Sequence, residues 1–268
     1  MFYDNYSFSN VKPFSSDFTN TNAYSTSDPN VLPIVPSQRT TSYPTGSSVR
    51  VLGTDMFLTS TQYYDEKGRH IQTLEDNVRS GTDITTHQYH FDGRLLSTCS
   101  NHSTPNTGYS GFITLTKYLF DKLGRATAIQ KQYGSNALAT VANYDYDDIG
   151  RVKTKHLDPS YNNATSGLPE LESLNYSFNI HNQITCINKD YALKTSGSYN
   201  KWGHFFGMYL GFDNADNVFT ASRLNGQVTG QLWNTQGDDA QRKYDYSYDN
   251  AGRLINAAYT EQQHTSDG

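Results

Sequence analysis

The chain has little of what marks most functional classes. Two cysteines, Cys99 and Cys186, are too few for a disulfide framework. Only 18% of residues are charged and the net charge is −5, which argues against a nucleic-acid backbone as the main partner. No apolar run approaches the length of a membrane-spanning helix. Met1 to Asn10 have neither a basic start nor an apolar core, so no secretory signal is read there. Phosphate loops, nucleophile elbows and zinc-protease helix motifs do not occur either, and the expectation is that the chain is not an enzyme. Hydrophobic residues reach only 35%, below the usual share for a globular domain.

Tyrosine fills much of that gap, with 21 copies, and Asn, Ser, Thr and Gly supply the rest. Such a mixture suits half-buried pleated surfaces and turns and gives helices little to build on. The expected class is all-β.

Internal periodicity organises the chain. Seven segments align on one turn. The clearest are Tyr118 to Arg125, Tyr144 to Arg151 and Tyr246 to Arg253, with Tyr63 to Arg69 close behind. Tyr89 to Arg94 reads as a shortened copy, and Tyr176 to Gln183 and Leu210 to Asn217 as worn ones. An aromatic precedes the Asp or Asn, and usually another lies two residues further back, on the same face of a strand. The Asp or Asn opens a four-residue turn and bonds the backbone ahead of it. Glycine at the fourth turn position accepts a left-handed backbone, and Asn182 and Asp216 replace it in the worn copies. After the turn the chain alternates again, as Val152, Thr154 and His156 do against Arg151, Lys153 and Lys155. Each unit is therefore expected to be a β-hairpin.

Loops of varying length separate the hairpins, at Asn101–Gly111, Asp158–Leu168, Asp190–Lys201 and Thr235–Gln241. An extra hairpin is expected to turn at Asn225-Gly226. Residues 1–46, rich in Ser, Thr, Asn and Pro, read as an extended or partly disordered lead-in. Residues 47–260 form the repeat region, opening with strands at Ser47–Leu52 and Met56–Tyr64, and 261–268 a polar tail.

The pattern Tyr-x-(Tyr/Phe)-Asp-x-x-Gly-Arg, carried from about Gln62 to Tyr259, resembles the YD repeats of Rhs proteins, which teneurins and the shell subunits of insecticidal toxin complexes share. Gly53 to Asp76 and Gly203 to Gly211 are also similar to Rhs-like proteins of Bacteroidetes. The resemblance implies hairpins lined up into a curved, spiralling open sheet, a segment of a hollow shell around a C-terminal toxin domain or, in teneurins, a support for adhesion modules. No Asp-Pro-x-Gly segment of the self-cleaving kind occurs, so cleavage and toxicity do not carry over, and no residue matches a family catalytic position.

Size limits what such a chain can do. Roughly sixteen strands at about 4.8 Å each make about 75 Å of sheet, or a ring roughly 24 Å across. A cargo of 100 residues needs about 34 Å. The chain is expected to be part of a wall whose edges another segment covers, and alone to dissolve poorly or self-associate.

Each candidate site has a plain structural reading. His87, His90, Cys99 and His102 have spacings open to a metal, but His87 and His90 fall on opposite faces of a strand and zinc needs convergent ligands. Asp145, Asp147 and Asp148, or Asp213 and Asp216, lack the ligand ladder of a calcium loop, and turn capping explains them. Gly203, Gly207 and Gly211 have helix-dimer spacing in a run too short to span a membrane. Regular recurrence assigns Tyr144, Tyr146, Tyr246 and Tyr248 to cross-strand ladders, whereas a sugar site would use Trp202 or Trp233. No catalytic, cofactor or metal residue is assigned. The expected role is a structural segment of a larger secreted or surface protein, with the rest of that polypeptide as partner. A cell-surface adhesion module with surface glycans as partner is the rival.

Overall fold

The computed structural model describes residues 1–17, 19, 30–105, 111–161, 170–195, 200, 203–212 and 217–262. The protein is all-β, with sixteen antiparallel strands and one short helix among the described residues. It divides into two units, Met1–Val141 and Ala142–Gly268.

The first unit holds β1 (Phe2–Tyr3), β2 (Pro44–Arg50), β3 (Phe57–Tyr64), β4 (His70–Asp76), β5 (Thr82–Tyr89), β6 (Leu95–His102), β7 (Phe112–Phe120) and β8 (Ala126–Tyr133). Each pairs antiparallel with the next in chain order. Alternation sets the register. Thr61 and Tyr63 of β3 turn to the same face as their partners Leu74 and Gln72 of β4, and Gln72 lies opposite Thr86 of β5. On this face a cluster of Tyr63, Ile71 and Leu74 is packed by Tyr6, Phe14, Ile34, Ile84 and Tyr89.

The described part of the lead-in lies across that face. The Tyr6 ring stacks on Tyr63 at 4.7 Å, and Tyr63 Oη donates to the Lys12 carbonyl at 2.7 Å. Gln72 is fully buried. It accepts from the Ser15 N–H at 2.9 Å and donates to the Ser15 carbonyl and to Thr86 Oγ1. Buried Thr59, Thr61, Thr86 and Gln88 show how a chain short of aliphatics fills an interior. Polar side chains enter it because most are hydrogen-bonded, and an unpaired one would cost about 1–3 kcal/mol.

The second unit holds β9 (Ala139–Tyr146, its paired residues from Ala142 on), β10 (Val152–Leu157), β11 (Glu172–Phe178), β12 (Ile184–Ile187), α1 (Lys189–Leu193), β13 (Phe206–Gly211), β14 (Gly230–Thr235), β15 (Gln241–Tyr248) and β16 (Leu254–Gln262). Again each strand pairs antiparallel with its successor. Its core is Cys186, Ala192, Tyr209, Phe219 and Leu232, with Leu193 and Val218 against them. Glycine makes this packing possible. A Cβ on Gly207 would meet the α1 backbone at Ala192 N, 2.7 Å away, and one on Gly211 would meet the Phe219 ring at 2.2 Å. The glycine spacing therefore serves close approach to a strand.

Two local expectations change. The Asn225-Gly226 turn forms, with Gly226 at φ +82, but it joins no two strands. β13 and β14 pair with each other from Phe206↔Thr235 to Gly211↔Gly230, leaving the turn inside a long connection. Helix α1 occupies part of the stretch expected as the Asp190–Lys201 loop. Residues 196–199 and 201 of that loop, together with residues 106–110 and 162–168 of two other expected loops, lie outside the described residues, as do Asp213, Asp216 and Trp202.

Candidate functional site: a ladder of turns

One turn geometry recurs in both units. In Asp65-Glu66-Lys67-Gly68-Arg69 the Asp65 N–H donates to the Arg69 carbonyl and the Gly68 N–H to the Asp65 carbonyl, both at 2.9 Å. Asp65 Oδ1 accepts the N–H groups of Lys67 and Arg69, each at 2.9 Å. Gly68 sits at φ +75, and the strand register slips at Tyr63/Tyr64. This is a type I turn closed by a left-handed glycine bulge. Asp121, Asp147 and Asp249 repeat it bond for bond.

The arginine after the glycine does two things. Its Nε donates to the outer carboxylate oxygen of the turn Asp at 2.7 Å in Arg69, Arg125, Arg151 and Arg253. Its guanidinium then lies over the aromatic that ends the neighbouring hairpin's first strand. Arg69 covers Tyr89 at 5.0 Å, Arg94 covers Phe120 at 5.0 Å and Arg151 covers Phe178 at 4.5 Å. Arg223, from the long connection, takes the same place over Tyr248 at 5.4 Å. Three turns are thus tied to the next by a cation on a ring face, worth about 0.5–1 kcal/mol where exposed and more where desolvated. The sequence placed this arginine in the motif without a role. For these aromatics the rung partner is the arginine rather than the equivalent tyrosine.

The worn copy at Tyr176 to Gln183 keeps the geometry by paired replacement. Asn179 accepts the N–H groups of His181 and Gln183 at 3.0 Å, and its Nδ2 donates to Gln183 Oε1 at 2.8 Å. An amide pair replaces the ion pair, and Asn182 takes the left-handed position at φ +63. Tyr89 to Arg94 is not shortened. The His90 N–H donates to the Arg94 carbonyl and the Gly93 N–H to the His90 carbonyl, so His90 holds the Asp position in a turn of ordinary length. Asp92, two residues before Arg94, receives its Nε at 2.8 Å instead. Hydrogen bonding to Arg94 and His90 holds the Asp92 carboxyl down at about 2. A further turn, Asn77 to Gly81, uses the same bonds with Ser80 at φ +62. A serine in the left-handed position hid it from the sequence pattern.

Residues with other chemistry are also placed. His87 faces Thr98 at 3.0 Å and lies 5.4 Å from the His70 ring. His102 pairs with Asp83 at 2.7 Å, and Cys99 is buried against Leu115, where burial raises its thiol to about 11. His87, His90, Cys99 and His102 do not converge, and among the described residues no His, Cys, Asp and Glu group is arranged to hold a metal. Asp145 bonds His156 Nε2 at 3.0 Å while Glu170 bonds its Nδ1 at 2.6 Å. The two carboxylates, Asp145 first, raise the His156 pKa and occupy both ring nitrogens. Buried Glu172 accepts from the Phe205 N–H and lies 2.8 Å from His204 Nδ1. Both clusters tie β-strands to loops.

One face of the second unit carries an aromatic strip. Trp233 stacks on Tyr244 at 5.8 Å, and Tyr244 meets Tyr246 at 6.1 Å and Tyr259 at 5.2 Å. A hollow of about 320 Å³ lies elsewhere in this unit, lined by Cys186, Lys189, Tyr209 and Phe212, with exposed Ile180 and Leu224 at its rim.

No family model and no curated protein matches the chain. Among solved structures, a crystal structure of TcdB2-TccC3-Cdc42 is similar at a TM-score of 0.32 and 14% identity. A crystal structure of TcdB2-TccC3-TEV is similar at 0.30 and 13%. Each alignment covers 78% of this chain, which spans only 9% of the other.

Proposed function

We propose that the chain is a structural wall segment of the Rhs type, part of a larger polymorphic-toxin or surface protein and without catalytic activity of its own. The arginine rung carries this assignment. The most regular charged groups in the chain are spent on closing one turn and gripping the next, which is the work of a wall. The buried threonine and glutamine layer serves the same end, holding neighbouring strands together where aliphatics are few. In this role the protein acts outside the cell or at its surface, joined to the rest of its polypeptide. The test is to sequence the DNA on both sides of the reading frame. Further YD hairpins with a toxin-like domain downstream are expected, and flanks without any repeat would overturn the proposal.

The aromatic strip favours one second role, carbohydrate binding by a surface module. Trp233, Tyr244, Tyr246 and Tyr259 offer adjacent ring faces on which sugars stack. Binding on a glycan array that is lost in Trp233→Ala would establish it, and no binding by the folded chain would exclude it.

A further inference from the structure

One rung of the ladder lacks its ring. Arg253 makes the usual bond to Asp249 at 2.7 Å, yet its side chain is 80% exposed, against 18% for Arg69 and 26% for Arg151. It immediately precedes β16, whose nine residues are all exposed. Among the described strands β16 pairs only with β15. The other edge of the repeat is finished differently. β2 and β1 cover β3, and Tyr43 stacks on Tyr64 at 4.9 Å in place of a cation.

We propose that Arg253 and the free side of β16 form a docking site for one further repeat hairpin. Its first strand runs antiparallel to β16 and ends in a Tyr or Phe immediately before a turn Asp or Asn. The inference rests on the wall role above and names the surface through which the wall continues. Three rungs define what the occupant must present. In each, the arginine opens one strand and the ring closes the antiparallel neighbour. Unpaired backbone groups on an edge strand accept such a neighbour along its length. The occupant is not a second copy of this chain, because its turn aromatics are already engaged. Tyr89, Phe120, Phe178 and Tyr248 lie under arginines, Tyr64 lies under Tyr43, Phe212 is buried, and Tyr146 is not free. The six residues after β16 contain no Tyr or Phe.

The experiment appends a second copy of residues 139–157 to the full chain and follows amide exchange in β16. Tethering raises the effective concentration to the millimolar range, so a weak hairpin still docks. The β16 amides not bonded to β15 are expected to slow at least about tenfold, since they gain backbone partners. Arg253→Ala, or Tyr146→Ala in the appended copy, is expected to return about two- to fivefold of that protection, the size of an exposed cation–ring contact. Unchanged β16 exchange in the extended chain would overturn the inference, and so would protection indifferent to both substitutions. A parent chain that is dimeric in ultracentrifugation, with β16 already protected, would assign the edge to a second copy and overturn it too. Repeats in the flanking DNA beside an unprotected β16 would sink this inference and leave the wall role. Protection in the fusion with no flanking repeats would do the reverse.

Discussion

Arg69→Ala is the substitution to which the ladder should respond most. Arg69 is 18% exposed at its side chain and its partner Asp65 11%. Besides Asp65 it donates to the His90 carbonyl at 3.1 Å and covers the Tyr89 ring. Removing one partner of a fully buried ion pair costs about 3–5 kcal/mol. Asp65 keeps its two backbone N–H donors, which brings the loss down to about 2–3 kcal/mol. The ring contact adds about 0.5–1 kcal/mol. A total near 3 kcal/mol in a unit of this size lowers its melting temperature by roughly 10 °C. Arg253→Ala, which removes the same side chain where it is exposed and meets no ring, should leave melting unchanged. The double substitution Asp65→Asn with Arg69→Gln copies the Asn179–Gln183 pair and should recover more than half of the loss, since no charge is left buried. Calorimetry on the full chain, with urea midpoints followed by circular dichroism, measures all three. The reasoning fails if Arg69→Ala melts no lower than Arg253→Ala, or if the double substitution melts below Arg69→Ala.

Three other outcomes follow from the same geometry. Gly68→Ala should destabilise more than Gly93→Ala: both are left-handed, but a Cβ at Gly68 lies 2.0 Å from Tyr43 Oη while one at Gly93 meets nothing. Strain alone is about 1–2 kcal/mol, and displacing Tyr43 from Tyr64 adds about 0.5–1.5 kcal/mol; equal urea midpoints would contradict this. Burial, and then nearby His70, pushes the His87 pKa down from 6.5 to about 4. Between those values the unfolded chain binds the extra proton, so first-unit stability should fall as pH drops from 6.5 to 4, and His87→Gln should flatten that slope in urea titrations. His156 has the opposite sign: its raised pKa gives stability that is complete below 6.5 and lost as pH rises through the folded value. An NMR titration placing its ring protons at or below 6.5 would refute the two-carboxylate bridge.

Sequence by itself determined most of the described hairpin turns. Aromatic, Asp or Asn, two free positions, then Gly or Asn is a local demand, because the turn's bonds run only between residues up to four apart. Asp121, Asp147 and Asn179 were therefore legible before any coordinates, and Asn182 in place of glycine marked the same left-handed backbone. His90 was misaligned because its turn carries Asp92 one position before the glycine, so that Asp92 could pass for the turn opener, and Ser80 hid the Asn77 turn for a similar reason. Only the tertiary structure decided which ring each arginine covers, because Arg69 and Tyr89 or Arg151 and Phe178 are separated by loops of variable length. The same holds for Asp145, His156 and Glu170, which meet across two strands and a loop with no fixed spacing. The seat of Gln72 under Ser15 is likewise invisible in composition, since a lead-in of Ser, Thr and Pro reads as unstructured until a sheet face offers its backbone a partner. Local turn chemistry is written in consecutive residues, whereas the rungs depend on strand register, which pairing along the whole sheet sets.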